Sequence, residues 1–395
     1  MKNIAYEPIK SKEKLLADPG FSKADCEKAI SFILKKVDEN LDTFTYKFPA
    51  PASVNNVYPG MDNTDWTSCF WTGMLWLAYE VTGDEKYRRI AEIHLDSFKK
   101  RIDERNHIET HDLGFLYSLS CVAAYKLTGN KEAKATALKA ADTLMERYLD
   151  KAGIIQAWGN LNDPEQRGRM IIDCCMNLPL LYWASEVTSD KKYYNAAYSH
   201  VKQAAKYIIR EDASSYHTYY MNVETGEPRF GKTAQGFSDD SCWARGQAWG
   251  IYGFPLSYIF TGDFELIELT KRLGNYFLNR LPADYVCYWD LIFTEGTEER
   301  DSSAAAIASC GFLEMAKHLP LTDDTRKIYE NAAIKMVKSL AENYTSVTCP
   351  KSNGVLLHAV YGKPQNHGVD ECNIWGDYFY FEALVRLMKD WKLYW

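Results

Sequence analysis

Two aspartates stand at the start of apolar helical segments, where they could supply a pair of carboxyl groups. They lie in the tripeptides His111-Asp112-Leu113 and Ile172-Asp173-Cys174. Each segment ends about four helical turns later in a similar turn. If both segments begin at one rim of a closed helical ring, the two carboxyl groups face one cavity. Paired carboxyl groups are the minimum apparatus for acid/base chemistry on a sugar.

The lengths of four apolar segments support a common rim. The threonine of each helix-ending turn follows one of four charged side chains by 15 to 17 residues: Asp65, Asp112, Asp173 and Arg245. Inner helices of equal length in a closed ring bring their N-terminal ends to the same rim, so these side chains should converge. Free N–H groups and helix dipoles at that rim also favour anionic ligands.

Helix capping is the alternative explanation for aspartates in these positions. It alone would account for Asp65, Asp301 and Asp377. Asp173 differs because it lies in a strongly apolar stretch, residues 170–176. Desolvation there would raise its pKa, as a general acid requires, whereas a helix dipole or Arg245 would lower it.

A degenerate repeat supplies the elements that would position these residues. An apolar helix ends in a turn and a polar-faced helix follows at once; the turns are Thr82-Gly83-Asp84, Thr128-Gly129-Asn130, Thr188-Ser189-Asp190, Thr261-Gly262-Asp263 and, less regularly, Thr322-Asp323-Asp324. Glycine ends a helix in the left-handed conformation, and Asp, Asn or Thr caps the next helix. Each repeat is therefore a helical hairpin.

The two helices of a hairpin differ in polarity. The first is apolar nearly all round, as an inner helix must be, and these helices are predicted at residues 70–81, 115–127, 174–187 and 248–260. The second has apolar residues at spacings of three and four, as an outer helix would. A last inner helix at 378–391 and an N-terminal helix at 22–40 complete six hairpins. The sequence predicts an all-α fold, a six-hairpin (α/α)6 toroid forming a single domain over residues 1–395.

Few strands are expected, and all in connections between hairpins. Short β-like runs occur at 153–158, 285–294 and 355–361. The connections 211–240 and 342–374 are longer than ordinary loops, so they are candidates for binding segments.

Composition excludes several classes of function. The formal net charge is −7 and the chain has no long basic block, so nucleic acid is not an expected partner. The N-terminus has no apolar signal-peptide core, and no run suits a membrane span. The ten cysteines lack zinc-site spacing and are expected to be reduced core thiols. We therefore expect a cytoplasmic protein that binds a small-molecule substrate and has no metal and no membrane partner.

Polar and aromatic residues near the carboxylates suit an anionic sugar. Gln235 and Arg245 offer amide and guanidinium groups, and arginine is the natural bidentate partner of a uronate. Arg245 could instead pair with Asp239 or Asp240. Flat indole rings suit stacking on sugars, and the candidates are Trp66, Trp158 and Trp249. His111 and His217 are either site residues or structural histidines.

These segments together resemble the unsaturated glucuronyl hydrolases, bacterial enzymes with a six-hairpin α/α barrel. The resemblance covers nearly the whole chain and is carried by segments that begin at Trp66 (WTSCFWTGMLWLAYE), His111 (HDLGF), Arg169 (RMIID), Trp243 (WARGQAWG), Arg300 (RDSSA) and Gly376 (GDYF). Each segment is weak evidence alone, but their order and spacing are specific.

The resemblance implies hydration of a C4=C5 double bond in the terminal uronate of oligosaccharides that polysaccharide lyases produce. Asp173 would donate the proton to C4 and then activate water, and Asp112 would be the second carboxylate. Gln235 and Arg245 match positions that bind the uronate carboxylate. The matching subsite residues are His111, His217, Trp66, Trp158 and Trp249. No cofactor is implied.

One departure from the family bears on the preferred substrate. Some streptococcal members that accept sulfated glycosaminoglycan fragments carry a Ser/Lys cluster near the C-terminus, where this chain has KPQNHGVDEC from Lys363. We therefore expect unsulfated chondroitin or hyaluronan disaccharides to be preferred. The alternatives are an unsaturated rhamnogalacturonyl hydrolase acting on pectin, a terpene cyclase or prenyl-group enzyme on an α toroid, and a glycan-binding toroid without turnover. The aspartate pairs of this chain are poor substitutes for the motif that a terpene cyclase needs.

Overall fold

Helices make up most of the computed structural model, which describes residues 3–395. The α-helices span Lys12–Leu16, Lys23–Asn40, Ser68–Thr82, Glu85–Asp103, Leu113–Tyr117, Ala123–Thr128, Lys131–Met145, Pro179–Thr188, Lys191–Gln203, Ala244–Thr261, Glu265–Leu278, Ser302–His318, Thr325–Asn343 and Ile374–Met388. Shorter helical turns of π or 3-10 type span Ser118–Val122, Ile172–Met176, Ala204–Ile208, Ser346–Thr348 and Lys363–Gln365.

Six inner helices form a closed ring. In chain order they are Ser68–Thr82, residues 113–128, residues 172–188, Ala244–Thr261, Ser302–His318 and Ile374–Met388, and we number them first to sixth. Each contacts the next, and the sixth contacts the first. The remaining long helices surround them, including Lys23–Asn40, which packs on the sixth. This confirms the predicted toroid of six hairpins.

The turns between paired helices have the predicted chemistry. Gly83, Gly129 and Gly262 adopt φ values of 72°, 71° and 69°, the left-handed region in which glycine carries no steric cost. Ser189 takes the same position with φ 62°. After these turns, the side chains of Asp84, Asn130 and Asp190 accept hydrogen bonds from backbone N–H groups in the first turn of the outer helix that follows.

Two inner helices are irregular near their N-termini, where continuous helices at 115–127 and 174–187 are predicted. The second inner helix contains a π turn at Ser118–Val122, within which the Ser120 hydroxyl donates to the Leu116 carbonyl at 2.5 Å. The third begins as a 3-10 turn at Ile172–Met176, and its α-helical part starts at Pro179. Proline suits a helix start because it has no N–H to leave unpaired. The prediction of continuous helices was wrong at these two places.

Small antiparallel sheets lie in the connections. The pairs are Phe48–Pro49 with Gly60–Met61, Tyr148–Leu149 with Ile154–Ile155, and Ala359–Gly362 with His367–Glu371, and one three-stranded sheet joins Arg169–Ile171, Thr218–Met221 and Pro228–Lys232. The predicted run at 153–158 contains the strand Ile154–Ile155, and the run at 355–361 overlaps the strand Ala359–Gly362. The run at 285–294 makes only isolated bridges, so that prediction was wrong.

A buried charge network ties inner helices together at the end opposite the rim. Arg386 donates from Nε to Glu382 at 2.9 Å and from a terminal nitrogen to Glu314 at 2.6 Å. Its other terminal nitrogen donates to the hydroxyl of Tyr252, on the fourth inner helix. The nearby positive charge opposes the effect of burial and holds the pKa of Glu314 at about 2. The network links the fourth, fifth and sixth inner helices.

Within residues 3–395, no helix combines the length and the apolar character that crossing a membrane requires.

Replacing Arg386 with methionine should destabilise the fold by about 3–5 kcal/mol, because Glu314 and Glu382 would be left buried without their cation. Urea unfolding measures this change. The control is Arg326→Met, which removes a half-exposed pair with Glu330 on an outer helix and should cost under about 1 kcal/mol. Equal losses in the two variants would contradict the prediction.

Candidate active site

His111 lies between the two aspartates at the rim. Its Nε2 is 3.4 Å from Asp112 Oδ1 and 3.3 Å from Asp173 Oδ1. The His111 side chain is fully buried, and the carboxyl groups are only 10% and 17% exposed. The two carboxyl groups therefore share one small, largely desolvated space, as the segment lengths predicted.

Asp112 is held by side chains and not by a capping bond. It precedes the second inner helix, but its carboxylate makes no bond to the free N–H groups of that helix. Instead, the Thr110 hydroxyl donates to Oδ2 at 2.7 Å, and the Asn177 amide approaches Oδ1 at 3.4 Å. Capping therefore does not explain this aspartate.

Asp173 follows directly from the three-stranded sheet. Strand Arg169–Ile171 leads into the 3-10 turn Ile172–Met176, which carries the side chain. Its Oδ1 has no hydrogen-bond partner among the described residues. A buried carboxyl oxygen without a donor favours the protonated form.

The environment shifts the pKa values of Asp173, Asp112 and His111 by different amounts. Burial, reinforced by the negative charge of Asp112, raises the pKa of Asp173 well above its ordinary range. Burial also raises the pKa of Asp112 to about 6, against the hydrogen bonds from Thr110 and Asn177. Burial, with the charges of Arg147 and Arg169, lowers the pKa of His111 to about 3. Burial thus favours the protonated form of Asp173 and the neutral form of His111, and Asp112, with a pKa of about 6, is mainly ionised at neutral pH.

His217 and Gln235 form a second group of neutral donors. His217 Nδ1 accepts the backbone N–H groups of Ala234 and Gln235 at 3.0 and 3.2 Å, so its proton is on Nε2. Burial lowers the pKa of His217 well below its ordinary value. The Gln235 carbonyl oxygen accepts a hydrogen bond from Arg245 at 2.7 Å, which leaves the amide N–H₂ of Gln235 as a donor.

The predicted alternative partner of Arg245 was wrong. Arg245 pairs with Asp301 at 2.9 Å, and Asp239 accepts the backbone N–H of Thr233 instead. The other terminal N–H groups of Arg245 donate to Gln235 and to the carbonyls of Val360 and Tyr361. All of these donors are thus used by the protein itself in this structure.

The three aspartates interpreted as caps differ from one another. Asp301 is a cap, since its carboxylate accepts the N–H groups of Ser303 and Ala304. Asp65 accepts the N–H and hydroxyl of Thr67, ahead of the first inner helix. Asp377 is not a cap: it lies within the first turn of the sixth inner helix.

The carboxylate of Asp377 instead accepts the N–H groups of Val355 and Leu356 and the Tyr58 hydroxyl. It fixes a connecting loop on the helix, so its expected capping role was wrong.

The three candidate tryptophans occupy different depths. Trp66 is half-buried and donates from its indole to the Tyr361 hydroxyl at 2.9 Å. Trp158 is also half-buried; the Arg169 guanidinium lies 4.2 Å from its ring centre and covers one side. Trp249 is 1% exposed and packs against Phe115 at 5.3 Å, below the surface of the site.

The sequence did not identify Thr110 and Asn177 as site residues, and it identified Arg169 only as the first residue of a family segment. Thr110 could have been found, because a threonine two residues before an aspartate forms a local turn. Asn177 contacts Asp112 across 65 residues, and only the folded chain reveals that contact.

His111, Asp112 and Asp173 are also the residues whose spacing could suit a metal ion. One atom of each lies within 4.8 Å of the others. However, both ring nitrogens of His111 lack hydrogen-bond partners among the described residues. A metal-binding histidine normally donates its second N–H to an acceptor that orients the ring, and ligating carboxyl groups are deprotonated. The donor set therefore does not fit a resident metal.

The helical toroid and the paired carboxyl groups at its rim suit acid/base chemistry on a carbohydrate. Residues 41–389 match the sequence profile of Glycosyl Hydrolase Family 88. The chain belongs to this family of hydrolases.

Known proteins support this membership over the full length. An unsaturated chondroitin disaccharide hydrolase of Streptococcus pneumoniae is 51% identical over 100% of both chains. The crystal structure of an unsaturated glucuronyl hydrolase from Streptococcus agalactiae superposes with a TM-score of 0.98, at 49% identity and full coverage of both chains. A variant of that protein in complex with dGlcA-GalNAc6S gives a TM-score of 0.90, at 46% identity and full coverage.

Replacing Asp112 with asparagine should lower the pKa of Asp173, because the neighbouring negative charge that disfavours its ionisation is removed. Titration of ¹³C-labelled carboxyl groups by NMR measures this shift. In the wild type, the pair should show one titration step near pH 6, consistent with the Asp112 pKa of about 6, and a second at higher pH. Two steps both below pH 5 would contradict the assigned environment.

Proposed function

We propose that the protein hydrates the C4=C5 double bond of an unsaturated glucuronate at the non-reducing end of glycosaminoglycan oligosaccharides of the chondroitin or hyaluronan type. The observation that carries this proposal is the buried pair of carboxyl groups around His111, in which burial raises the pKa of Asp173 well above its ordinary range and that of Asp112 to about 6. An enol ether needs one proton donor with a raised pKa and a nearby negative charge, and the pair supplies both.

Asp173 is the proposed general acid and then the general base. Its proton goes to C4, and the electrons of the double bond form the new C4–H bond, leaving positive charge shared by C5 and the ring oxygen. The resulting carboxylate takes a proton from the water that attacks C5. Asp173 is thereby protonated again, and the product is a hemiketal that opens and releases the rest of the glycan. The proposed cycle consumes one water and needs no cofactor.

Asp112 and His111 have different proposed tasks. The Asp112 carboxylate stabilises the cationic intermediate and positions the sugar. Neutral His111, between the two carboxyl groups at 3.3 and 3.4 Å, can bond to either one without adding positive charge. A charged imidazole would favour ionised Asp173 and remove the acid.

The uronate carboxylate is proposed to meet Gln235 and His217. Both present N–H donors, the amide of Gln235 and Nε2 of His217, and their orientation is fixed by bonds on their other sides. Arg245 acts on this group mainly through Gln235, whose carbonyl it holds. Trp66 and Trp158 are proposed stacking surfaces for the sugar, and Trp249 supports Phe115 beneath them.

All residues 1–395 are proposed to form one catalytic domain in a reducing compartment such as the cytoplasm. In support, one buried cluster includes side chains from Ile4 to Trp395. All ten cysteines are free thiols, and nine of them are buried.

The ultraviolet absorbance of an unsaturated uronyl disaccharide tests the reaction directly. Wild-type protein should abolish the absorbance of an unsaturated chondroitin disaccharide. The absorbance of an unsaturated galacturonyl-rhamnose from pectin should fall more slowly or not at all. Asp173→Asn should lower kcat by about 10²–10⁴-fold, because proton transfer is lost. Circular dichroism must show that this variant is folded.

Absorbance that persists with the wild type on all these fragments would refute the proposed function. Faster turnover of the pectin disaccharide would favour the rhamnogalacturonyl alternative. A folded Asp173→Asn variant with full activity would refute only the assignment of the proton donor.

Unsulfated disaccharides are the proposed preferred substrates. The segment that stands in place of the family's Ser/Lys cluster has one lysine, Lys363, and its ammonium pairs with Glu299. In the same segment, Gln365 donates to the backbone carbonyl of Ala234 at 2.7 Å. These contacts already use the cation and the amide that a sulfate group would need.

We expect kcat/KM to be a few-fold higher for an unsulfated than for a 6-sulfated unsaturated chondroitin disaccharide, because Lys363 and Gln365 are already paired and a hydrogen bond that is not made costs about 0.5–1.5 kcal/mol. Parallel absorbance assays measure the ratio. Glu299→Gln, which frees Lys363, should lower this ratio of kcat/KM values. Glu298→Gln serves as the neighbouring control. Equal turnover of both disaccharides by the wild type would contradict the preference.

A further inference from the structure

Asn177 joins the two elements that carry the aspartates. It is fully buried at the end of the 3-10 turn Ile172–Met176. Its Oδ1 accepts the backbone N–H of Phe115, on the second inner helix, at 2.7 Å. Its Nδ2 lies 3.4 Å from Asp112 Oδ1 and 3.4 Å from the Asp173 carbonyl oxygen. One side chain thus contacts both chain segments that hold the proposed acid/base pair.

The orientation of this amide is fixed by the chemistry of its neighbours. The N–H of Phe115 can only donate, so the carbonyl oxygen of Asn177 must face it. The amide N–H₂ then points to Asp112 and to the Asp173 carbonyl, both of which only accept when Asp112 is ionised. Rotating the amide would lose all three contacts.

The two chain segments approach closely at this point. A Cβ added to Gly114 would lie 2.3 Å from both Cα and the carbonyl oxygen of Asn177. Only glycine permits this approach, which brings the Asn177 side chain within reach of Asp112.

We propose that Asn177 is a positioning residue that holds Asp112 as an anion at a fixed place beside Asp173. This inference rests on the proposed function, because it assigns Asn177 a part in the same proton transfer. Asn177 does not touch the reacting atoms; it acts through Asp112, whose charge it stabilises by donating a hydrogen bond.

Asp112 is also surrounded by other titratable and charged groups. Those with an electrostatic influence are Asp65, Arg101, His111, Arg147, Asp173 and Tyr361, with the thiols of Cys69 and Cys174. The two arginines favour the anion, and Asp65 opposes it when it is ionised. Loss of the Asn177 donor shifts this balance towards protonated Asp112.

The test compares the pH dependence of two variants with the wild type. In the wild type, kcat/KM should fall as pH drops through about 6, because Asp112 gains a proton. Asn177→Leu and Asn177→Ala both remove the donor, and the smaller alanine side chain avoids any clash that leucine would make in this buried position. Both should raise the midpoint of this acidic limb by about 0.5–1 pH unit and lower kcat about tenfold or more, with a smaller change in KM.

Asn275→Leu is the matched control. Asn275 is equally buried and also bonds on both sides, to the Tyr329 hydroxyl at 2.7 Å and to the Glu7 carbonyl at 2.8 Å, but on an outer helix. Its replacement should lower stability without moving the acidic limb. A limb that stays in place in a folded Asn177 variant, or that moves equally in Asn275→Leu, would overturn the proposal.

NMR titration of the Asp112 carboxyl group separates this inference from the proposed function. Its midpoint should rise in Asn177→Ala even if Asn177→Leu does not fold. If the wild type hydrates no unsaturated uronyl disaccharide, the proposed function fails. An unchanged Asp112 midpoint in Asn177→Ala, with an active wild type, overturns only the role of Asn177.

Discussion

The close, buried pairing of Asp112 and Asp173 is the constraint on which the rest of the structure depends. Two carboxyl groups that flank one imidazole nitrogen at 3.4 and 3.3 Å cannot both ionise without strong repulsion in a desolvated space. The arrangement lowers the stability of the folded chain, and the closed ring around it must compensate. The packing of the apolar inner helices and the buried Arg386 network at their other end supply the compensating stability.

The irregular helix starts follow from the same constraint. In a regular α-helix, the helix geometry and the packing of the helix fix the directions of the first side chains. The π turn at Ser118–Val122 and the 3-10 turn at Ile172–Met176 each lie within a few residues of an aspartate. Such departures from α-helical geometry are frequent at functional sites, because they redirect side chains without breaking the helix. Here they accompany the contact between Gly114 and Asn177.

Local patterns predicted the hairpins, whereas long-range contacts set the site. The turn at Thr82-Gly83-Asp84 and its relatives could be found because glycine and a capping side chain act on adjacent residues. The convergence of Asp112 and Asp173 followed from helix lengths. The partner of Arg245, Asp301, is 56 residues away, and its bond depends on how the fourth and fifth inner helices pack. No local pattern distinguishes it from Asp239.

The pairing of Arg245 with Asp301 fits the proposed site, which must bind an anion and also contain an acid with a raised pKa. A free guanidinium beside Asp173 would favour the carboxylate and remove the proton that the reaction needs; its charge already lowers the pKa of Asp173, against the larger effect of burial. Asp301 offsets much of that charge at 2.9 Å. The guanidinium can therefore orient Gln235, while neutral N–H groups face the substrate. In the proposed reaction, a uronate is recognised by hydrogen bonding, and the raised pKa of Asp173 favours the protonated acid.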